Sequence, residues 1–354
     1  MNLQLNSSNP VVTTAPASEP AARAFDASVR LSFLDDHPHL PLVVQPADAR
    51  IDPVAWAAGA RDAVKAALCR HGALLLRGFD LDSVARFEAF AEALSPGLYG
   101  QYGDLPKKEG GNNVYHSTPY PEQDMILYHN ESAHLDRWPR KQFFFCELPS
   151  VEGGATPLVD IRQMLARMPA TLVDLFERRG LAYIRTFQPG LDLSWQAFFH
   201  TDSRDEVEAR CRAAGTAFRW LDDKTFQMRT VCPAVIRHPV TGERGFFNQV
   251  RLHHPYCLGE EMRVDLTDLC GIDGLPRNVC FGDGTPIPDD VMKTLGELYE
   301  DCAVRFTWRK GDVVMLDNML TAHARDPYTP PRQIAVAMGE MVEGPAVWKP
   351  AGTA

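Results

Sequence analysis

Short runs of branched and aromatic residues, separated by glycine, proline, asparagine or aspartate, recur along this chain from about residue 120 onward. Runs of this length and composition are typical of β-strands. Helical segments interrupt them too irregularly for the alternating strands and helices of a doubly wound sheet. The pattern therefore predicts a mainly β fold with helical decorations, built on a jelly-roll or sandwich core. The predicted strands are residues 125–128, 143–146, 181–186, 234–236, 304–308, 313–316 and 334–338.

Helices are predicted both before these strands and between them. Asp52 and Pro53 are suited to start a helix that ends near Gly72, because aspartate caps a helix N-terminus and proline fits its first turn. A second amphipathic helix is predicted over residues 84–94, and the apolar run at 73–76 is predicted to be a buried strand. Helical inserts are expected around residues 161–179, 204–214 and 289–299.

The domain organisation follows from where apolar residues are concentrated. Residues 1–25 are rich in proline, serine and alanine and cannot supply a core, so a disordered arm is expected there. The remainder, residues 26–354, is predicted to form a single domain. Of the 354 residues, 45% are hydrophobic, which is enough for a sizeable buried core.

Charge and cysteine content narrow the class of protein. The chain has 46 acidic residues against 36 lysines and arginines, and no basic run, so nucleic acid is a poor candidate partner. The longest apolar runs are far shorter than the ~20 residues of a membrane-spanning helix, and a secretory signal is not expected. The eight cysteines are scattered without a Cys-x-x-Cys pair, which favours reduced thiols and a cytoplasmic location.

His129 and Glu131 form the first candidate metal-binding pair. Alternate residues of a strand face the same side, so a strand here would present an imidazole and a carboxylate together. That is two thirds of the triad of two histidines and one carboxylate that holds non-haem Fe(II). Two similar pairs, at 134/136 and 200/202, lie in a predicted loop and at a predicted helix start, where capping is the ordinary interpretation.

His323 is the candidate for the third ligand. It ends a strand–turn–strand pattern over residues 313–323, and Arg332 follows nine residues later, where another predicted strand begins. An arginine can hold the far carboxylate of a dicarboxylate cosubstrate through paired hydrogen bonds, although a surface arginine is the more ordinary interpretation. Thr156 follows a pair of glycines that permit close backbone approach, and its hydroxyl can donate to a carboxylate.

Taken together, these blocks resemble the Fe(II)/2-oxoglutarate-dependent dioxygenases of the TauD/TfdA (taurine dioxygenase) superfamily over roughly residues 70–340. Four blocks in the same order are far more specific than any one motif. The chain is most similar to the syringomycin-type aspartyl β-hydroxylases and related amino-acid hydroxylases. The matching blocks are residues 72–79, 129–131 with 139–146, 153–157, and 317–327 with Arg332.

The resemblance implies a fold, a set of ligands and a reaction. The fold would be a double-stranded β-helix, the jelly roll of this superfamily. His129, Glu131 and His323 would bind Fe(II), and Thr156 and Arg332 would bind the cosubstrate 2-oxoglutarate. With O2, the enzyme would hydroxylate an unactivated C–H bond and release succinate and CO2.

The implied substrate is an amino acid, free or tethered to a peptidyl carrier protein, hydroxylated at its β-carbon in specialised metabolism such as antibiotic biosynthesis. Glu131 weighs against a halogenase, in which that carboxylate is absent. Desaturation or cyclisation by the same iron centre stays open, as does assembly into a homo-oligomer. A metal-binding jelly roll without oxygen chemistry and a zinc hydrolase are the alternatives, but neither needs the cosubstrate residues Thr156 and Arg332.

Four further residues are candidates for contact with the substrate. Ser117 and Thr118 precede the strand of His129, Asn248 follows a predicted hairpin, and Arg325 lies two residues beyond His323. For each of them, ordinary hydrogen bonding at a strand end or in a loop is the competing interpretation.

Overall fold

The strands of the computed structural model, which describes residues 25–34, 37–100 and 105–344, assemble into two principal sheets that pack together. The strands are β1 (Val29–Ser32), β2 (Leu42–Pro46), β3 (Ala73–Leu76), β4 (Tyr115–His116), β5 (Ile126–His129), β6 (Arg137–Leu148), β7 (Glu152–Gly153), β8 (Leu158–Asp160), β9 (Leu181–Phe187), β10 (Ala217–Trp220), β11 (Phe226–Cys232), β12 (Val235–Arg237), β13 (Arg244–Phe246), β14 (Arg277–Phe281), β15 (Val313–Asp317), β16 (Thr321–Arg325), β17 (Tyr328–Thr329) and β18 (Gln333–Glu343). The larger sheet has the order β1-β2-β3-β15-β6-β18-β4, and the smaller has the order β5-β16-β8.

Helices cover the outside of these sheets and fill their connections. They are α1 (Pro53–His71), α2 (Val84–Leu94), α3 (Ile161–Arg167), α4 (Ala170–Arg179), α5 (Trp195–Phe199), α6 (Arg204–Ala213), α7 (Val250–His253), α8 (Glu260–Cys270) and α9 (Asp289–Cys302), with short 3-10 turns at Pro255–Leu258 and Ile272–Gly274. A further four-stranded sheet, β10-β11-β9-β14, lies among the inserts. No helix in the described part of the chain is both long and apolar enough to span a bilayer.

Local signals in the sequence set the ends of α1 as predicted. The Asp52 side chain accepts a hydrogen bond from the backbone N–H of Ala55 at 2.7 Å, and Pro53 occupies the first turn. Gly72 ends the helix with a positive φ of 76°. A Cβ at Gly72 would lie 2.5 Å from Thr321 Oγ1, so only glycine fits this approach of α1 to the smaller sheet.

The larger sheet is buried on both faces, which explains its continuous apolar strands. In β3, Leu74 and Leu76 face α1 and α2, whereas Ala73 and Leu75 face the opposite way. That second face packs against Leu158 of the smaller sheet. His129 and His323 lie on β5 and β16 of the smaller sheet, and the His323 ring packs against Phe144 of the larger sheet.

The structure corrects the predicted strand at 304–308. Of this segment, Val304 alone forms a bridge, with Leu158, and residues 305–308 pair with no strand among the described residues. Alternate side chains are nevertheless buried, since Phe306 and Trp308 pack into the layer between the sheets. An alternating pattern records which side chains are buried, but a strand also needs a neighbouring backbone with which to pair.

Other predicted elements differ in extent rather than in kind. The helical insert at 161–179 is two helices, because Pro169 separates α3 from α4. The predicted strand at 143–146 extends over all of β6. Several elements have no counterpart in the sequence prediction, among them helix α8 and strands β1, β2, β10, β11 and β14. The predicted N-terminal arm lies outside the described residues except for Phe25, so the division into an arm and one domain stays a prediction.

Candidate metal centre

His129 and His323 lie directly opposite each other on two neighbouring antiparallel strands. His129 ends β5, His323 lies at the middle of β16, and the two residues are register partners. Their ring centroids are 4.3 Å apart, and the ring of Phe144 on β6 lies 4.9 Å from that of His323. Both histidines are buried. Backbone pairing of the two strands thus brings the two imidazoles together.

Glu131 reaches the same place by a route that differs from the predicted one. Strand β5 ends at His129, and Glu131 lies in the turn that follows, where Ser132 adopts a positive φ of 56°. Asn318 holds this turn in place: its Oδ1 accepts from the Glu131 N–H at 2.7 Å, and its Nδ2 donates to the Glu131 carbonyl at 2.9 Å. The expectation that both ligands lie on one strand face is therefore wrong, although the carboxylate and the imidazole do meet.

The three side chains offer ligand atoms that all lie within 4.8 Å of one another. The Nδ1 atom of His129 lies 2.8 Å from the Leu127 carbonyl and donates to it, which leaves Nε2 free for a metal. Burial, together with the nearby His129, lowers the pKa of His323 well below its ordinary value, so this imidazole is neutral. Its Nδ1 is buried without a hydrogen-bond partner among the described residues. Two imidazoles and one carboxylate are the donor set of a non-haem Fe(II) site, and these residues fit it.

Thr156 and Arg332 line one cavity together with His129, Glu131 and His323. Gly153 and Gly154 have φ values of 70° and 71°, and a Cβ at Gly153 would lie 2.2 Å from the Pro327 carbonyl oxygen. This close approach lets Arg332 Nε donate to the Gly154 carbonyl at 3.0 Å, while Arg332 Nη2 donates to Thr156 Oγ1 at 3.4 Å. The two glycines thus permit the close approach of backbone segments that the sequence predicted.

Arg332 is a cation with much of its charge desolvated. Burial, and to a smaller extent the charge of Arg325, lowers the pKa of Arg332 to about 10, so the guanidinium is still protonated at neutral pH. Among the described residues, neither arginine forms an ion pair with a carboxylate. A partly buried cation without a carboxylate partner is costly, so the cavity is suited to an anionic ligand.

Three of the four candidate substrate residues line this cavity. They are Ser117, Thr118 and Arg325. The Arg325 guanidinium is already engaged, because it donates to the backbone carbonyls of Tyr120, Pro121 and Asp124. Its Nε is buried and has no hydrogen-bond partner within the described part of the chain.

Asn248 lies elsewhere and is committed to the fold. It is fully buried, its Nδ2 donates to Tyr299 Oη at 3.0 Å, and its Oδ1 accepts from the Val250 N–H at 3.0 Å. It is not among the residues that line the cavity. The structure therefore gives Asn248 the ordinary role of hydrogen bonding in the turn that precedes α7.

Gln142 belongs to the site and was not predicted. It is 1% exposed, and its Nε2 donates to Glu131 Oε2 at 3.0 Å. The sequence does contain a signal for Gln142. On β6 this residue shares a strand face with the buried side chains of Phe144 and Cys146, so it is a polar residue on an otherwise apolar, buried face.

Solved structures share this architecture. A taurine dioxygenase from Burkholderia xenovorans aligns with a TM-score of 0.54 at 17% identity, covering 88% of this chain and 89% of that one. The structure of AAD-2 in complex with Mn(II) and N-oxalylglycine aligns with a TM-score of 0.53 at 15% identity, covering 89% of this chain and 98% of that one. These likenesses confirm the jelly-roll fold. The fold, the site and a match of residues 39–338 to a dioxygenase family together define the class: this protein is an Fe(II)- and 2-oxoglutarate-dependent dioxygenase that uses O2.

Sequence comparison gives the family within that class. Residues 39–338 match the family described as "Taurine catabolism dioxygenase TauD, TfdA family", and the chain belongs to it. The "Dapdiamide synthesis protein DdaC" of Enterobacter agglomerans is 32% identical over 303 residues, covering 85% of this chain and 91% of that protein. A "clavaminate synthase-like protein" of Arabidopsis thaliana is 29% identical, covering 77% of this chain and 82% of that protein. The resemblance to the TauD/TfdA superfamily is thereby confirmed.

Gln142→Met is expected to weaken Fe(II) binding about tenfold. The substitution keeps the volume but removes the amide that orients the Glu131 carboxylate, and losing such a partner of a metal ligand typically costs 10–100-fold. Anaerobic Fe(II) titration measures the change. Gln227→Met is the matched control, because Gln227 is also buried and hydrogen-bonded, to Thr186, but lies outside the cavity. Equal metal affinity in wild type and Gln142→Met would contradict the role of Gln142.

Proposed function

We propose that His129, Glu131 and His323 bind Fe(II), that Thr156 and Arg332 bind 2-oxoglutarate, and that the enzyme hydroxylates the β-carbon of an amino acid. The observation that carries this proposal is the meeting, in one cavity, of three convergent metal-ligand side chains with an arginine that has no carboxylate partner among the described residues. A metal-binding protein or a zinc hydrolase has no need of that arginine.

Side chains in the cavity bind and orient the metal and the cosubstrate in this proposal. Bound Fe(II), 2-oxoglutarate and O2 supply the oxidation, in which 2-oxoglutarate becomes succinate and CO2 while one oxygen atom enters a C–H bond of the substrate. His323 is a neutral imidazole, and His129 offers the Nε2 atom that its hydrogen bond to Leu127 leaves free. Gln142 and Asn318 hold Glu131 in place by hydrogen bonds. Apolar lining residues exclude water from the reacting atoms; these are Phe144, Ile334 and Val336.

Charge balance supports a substrate with a carboxylate. Fe(II) and the 2-oxoglutarate dianion carry equal and opposite charges. The cavity wall then offers two guanidinium groups, Arg325 and Arg332, against the single carboxylate of Glu131. One cation is left over, and the Arg325 guanidinium, which lines the cavity, is the candidate to face a substrate anion. Ser117 and Thr118 line the same cavity and add hydroxyl groups for polar contacts.

Similarity to DdaC, a dapdiamide synthesis protein, supports a place in natural-product metabolism. The substrate is then an amino acid, either free or presented by a peptidyl carrier protein. A free amino acid offers its α-carboxylate to Arg325. In a carrier-bound amino acid the α-carboxyl group forms the thioester, so an acidic side chain is needed to provide the anion.

Two measurements test the proposal. Anaerobic addition of Fe(II) and 2-oxoglutarate is expected to produce the weak visible charge-transfer band of the chelate, and its absence would remove the oxygenase site. A panel of amino acids, free and carrier-loaded, is then assayed for succinate release and for product mass. A gain of one oxygen atom supports hydroxylation, whereas a loss of two hydrogens would replace it by desaturation or cyclisation.

A further inference from the structure

Trp308 contacts Thr156 from behind the cavity wall. It is 6% exposed, packs edge-on against Phe306 with ring centroids 4.8 Å apart, and does not itself line the cavity. Its indole Nε1–H donates to Thr156 Oγ1 at 3.1 Å. Trp308 belongs to the segment 304–308, which was predicted to be a strand but, among the described residues, pairs only through the bridge at Val304. Burial of this segment between the sheets places the indole next to Thr156.

The hydroxyl of Thr156 therefore receives two donors. One is Trp308 Nε1 at 3.1 Å and the other is Arg332 Nη2 at 3.4 Å. Indole and guanidinium N–H groups donate only, whereas a hydroxyl has one proton and two acceptor positions. With both acceptor positions filled, the Thr156 hydroxyl has only its proton left to offer. No acceptor for that proton is found among residues 25–34, 37–100 and 105–344, so it is available to a ligand in the cavity.

We infer that Trp308 is a positioning residue for 2-oxoglutarate, which makes the Thr156 hydroxyl an obligatory donor to a carboxylate oxygen of the cosubstrate. The inference rests on the proposed assignment of Thr156 and Arg332 to 2-oxoglutarate. A donor oriented before the ligand arrives needs no reorganisation on binding, which raises affinity for an anion. Without Trp308, the Thr156 hydroxyl can rotate and donate its proton to another acceptor.

Other buried tryptophans in the described part of the chain do not form a hydrogen bond like the one from Trp308 to Thr156. The indole N–H groups of Trp138 and Trp195 are also buried, yet neither has a partner among the described residues. A role in packing alone would therefore not require the contact with Thr156. The two roles differ in what they predict for a variant that keeps an aromatic ring but lacks the N–H.

Titration of the Mn(II)-loaded protein with 2-oxoglutarate separates these roles, because binding is measured without turnover. Trp308→Phe is expected to raise the dissociation constant of 2-oxoglutarate about tenfold, the usual effect of removing one buried hydrogen bond to a polar group. Trp195→Phe, which removes an indole N–H without a partner, is the matched control and should bind as wild type does. Mn(II) affinity and circular dichroism establish that each variant is folded; if Trp308→Phe is not, Trp308→Met takes its place.

A double-mutant cycle with Thr156→Val decides whether Trp308 acts through the hydroxyl. In the Thr156→Val background, Trp308→Phe is expected to change 2-oxoglutarate affinity by less than about twofold. An equal loss in both backgrounds, or no loss in either, would overturn the positioning role and leave the proposed function intact. If Thr156→Val and Arg332→Lys both bind 2-oxoglutarate like wild type, the cosubstrate assignment fails as well, and the inference fails with it.

Discussion

Replacing either His129 or His323 by alanine is expected to lower 2-oxoglutarate turnover by more than about 100-fold. Even residues that only orient a metal ligand change affinity or activity by 10–100-fold when they are lost, so removing a ligand itself should exceed that range. Each variant leaves one imidazole and one carboxylate, which hold Fe(II) weakly. Succinate release in the presence of Fe(II), 2-oxoglutarate and O2 measures turnover, and anaerobic titration measures Fe(II) binding.

His39→Ala serves as the control for the two histidine variants, because His39 is exposed and does not line the cavity. It should keep wild-type turnover and Fe(II) affinity. The ligand assignment would be refuted by full turnover in either His129→Ala or His323→Ala.

Truncating Arg332 to alanine is expected to raise the dissociation constant of 2-oxoglutarate about 10- to 150-fold. A hydrogen bond to a charged group contributes about 1.5–3 kcal/mol, and tenfold in affinity corresponds to about 1.4 kcal/mol. Saturating 2-oxoglutarate should restore much of the turnover, because the iron ligands are unchanged. Arg332→Lys should lose less, since it keeps the charge but not the planar fork.

The concentration of 2-oxoglutarate that gives half-maximal succinate release measures the effect of the Arg332 variants. Arg86→Ala on α2 provides a control, because this arginine lies on the other side of the larger sheet. If Arg332→Ala needs no more 2-oxoglutarate than wild type does, another cation must hold the cosubstrate.

Much of the fold was predictable because its signals are local. The cap at Asp52 and the glycine at position 72 mark the two ends of α1 within a few residues. Likewise, Gly153 and Gly154 mark a close backbone approach before Thr156. In each case a side chain, or its absence, acts on backbone groups nearby in the chain.

The parts that sequence analysis missed depend on contacts between distant residues. Glu131 is held by Asn318, 187 positions away in the chain, and Thr156 is contacted by Trp308 at a separation of 152. Asn248 looks like a pocket residue in the sequence, yet its amide is used at the start of α7. The sequence around a polar side chain does not indicate which distant residue will be its hydrogen-bond partner.

By itself, the sequence determined the reaction class, the jelly-roll class of the fold and the identity of the five residues proposed to bind iron and 2-oxoglutarate. They follow from the resemblance of four ordered sequence blocks to one superfamily, since blocks in a fixed order are far more specific than any single motif. The tertiary structure alone decided how those residues meet: through the pairing of β5 with β16, a turn held by an asparagine, and an indole behind the threonine. The reason is physical, since hydrogen-bond partners and burial are set by packing of the whole chain and not by neighbours in sequence.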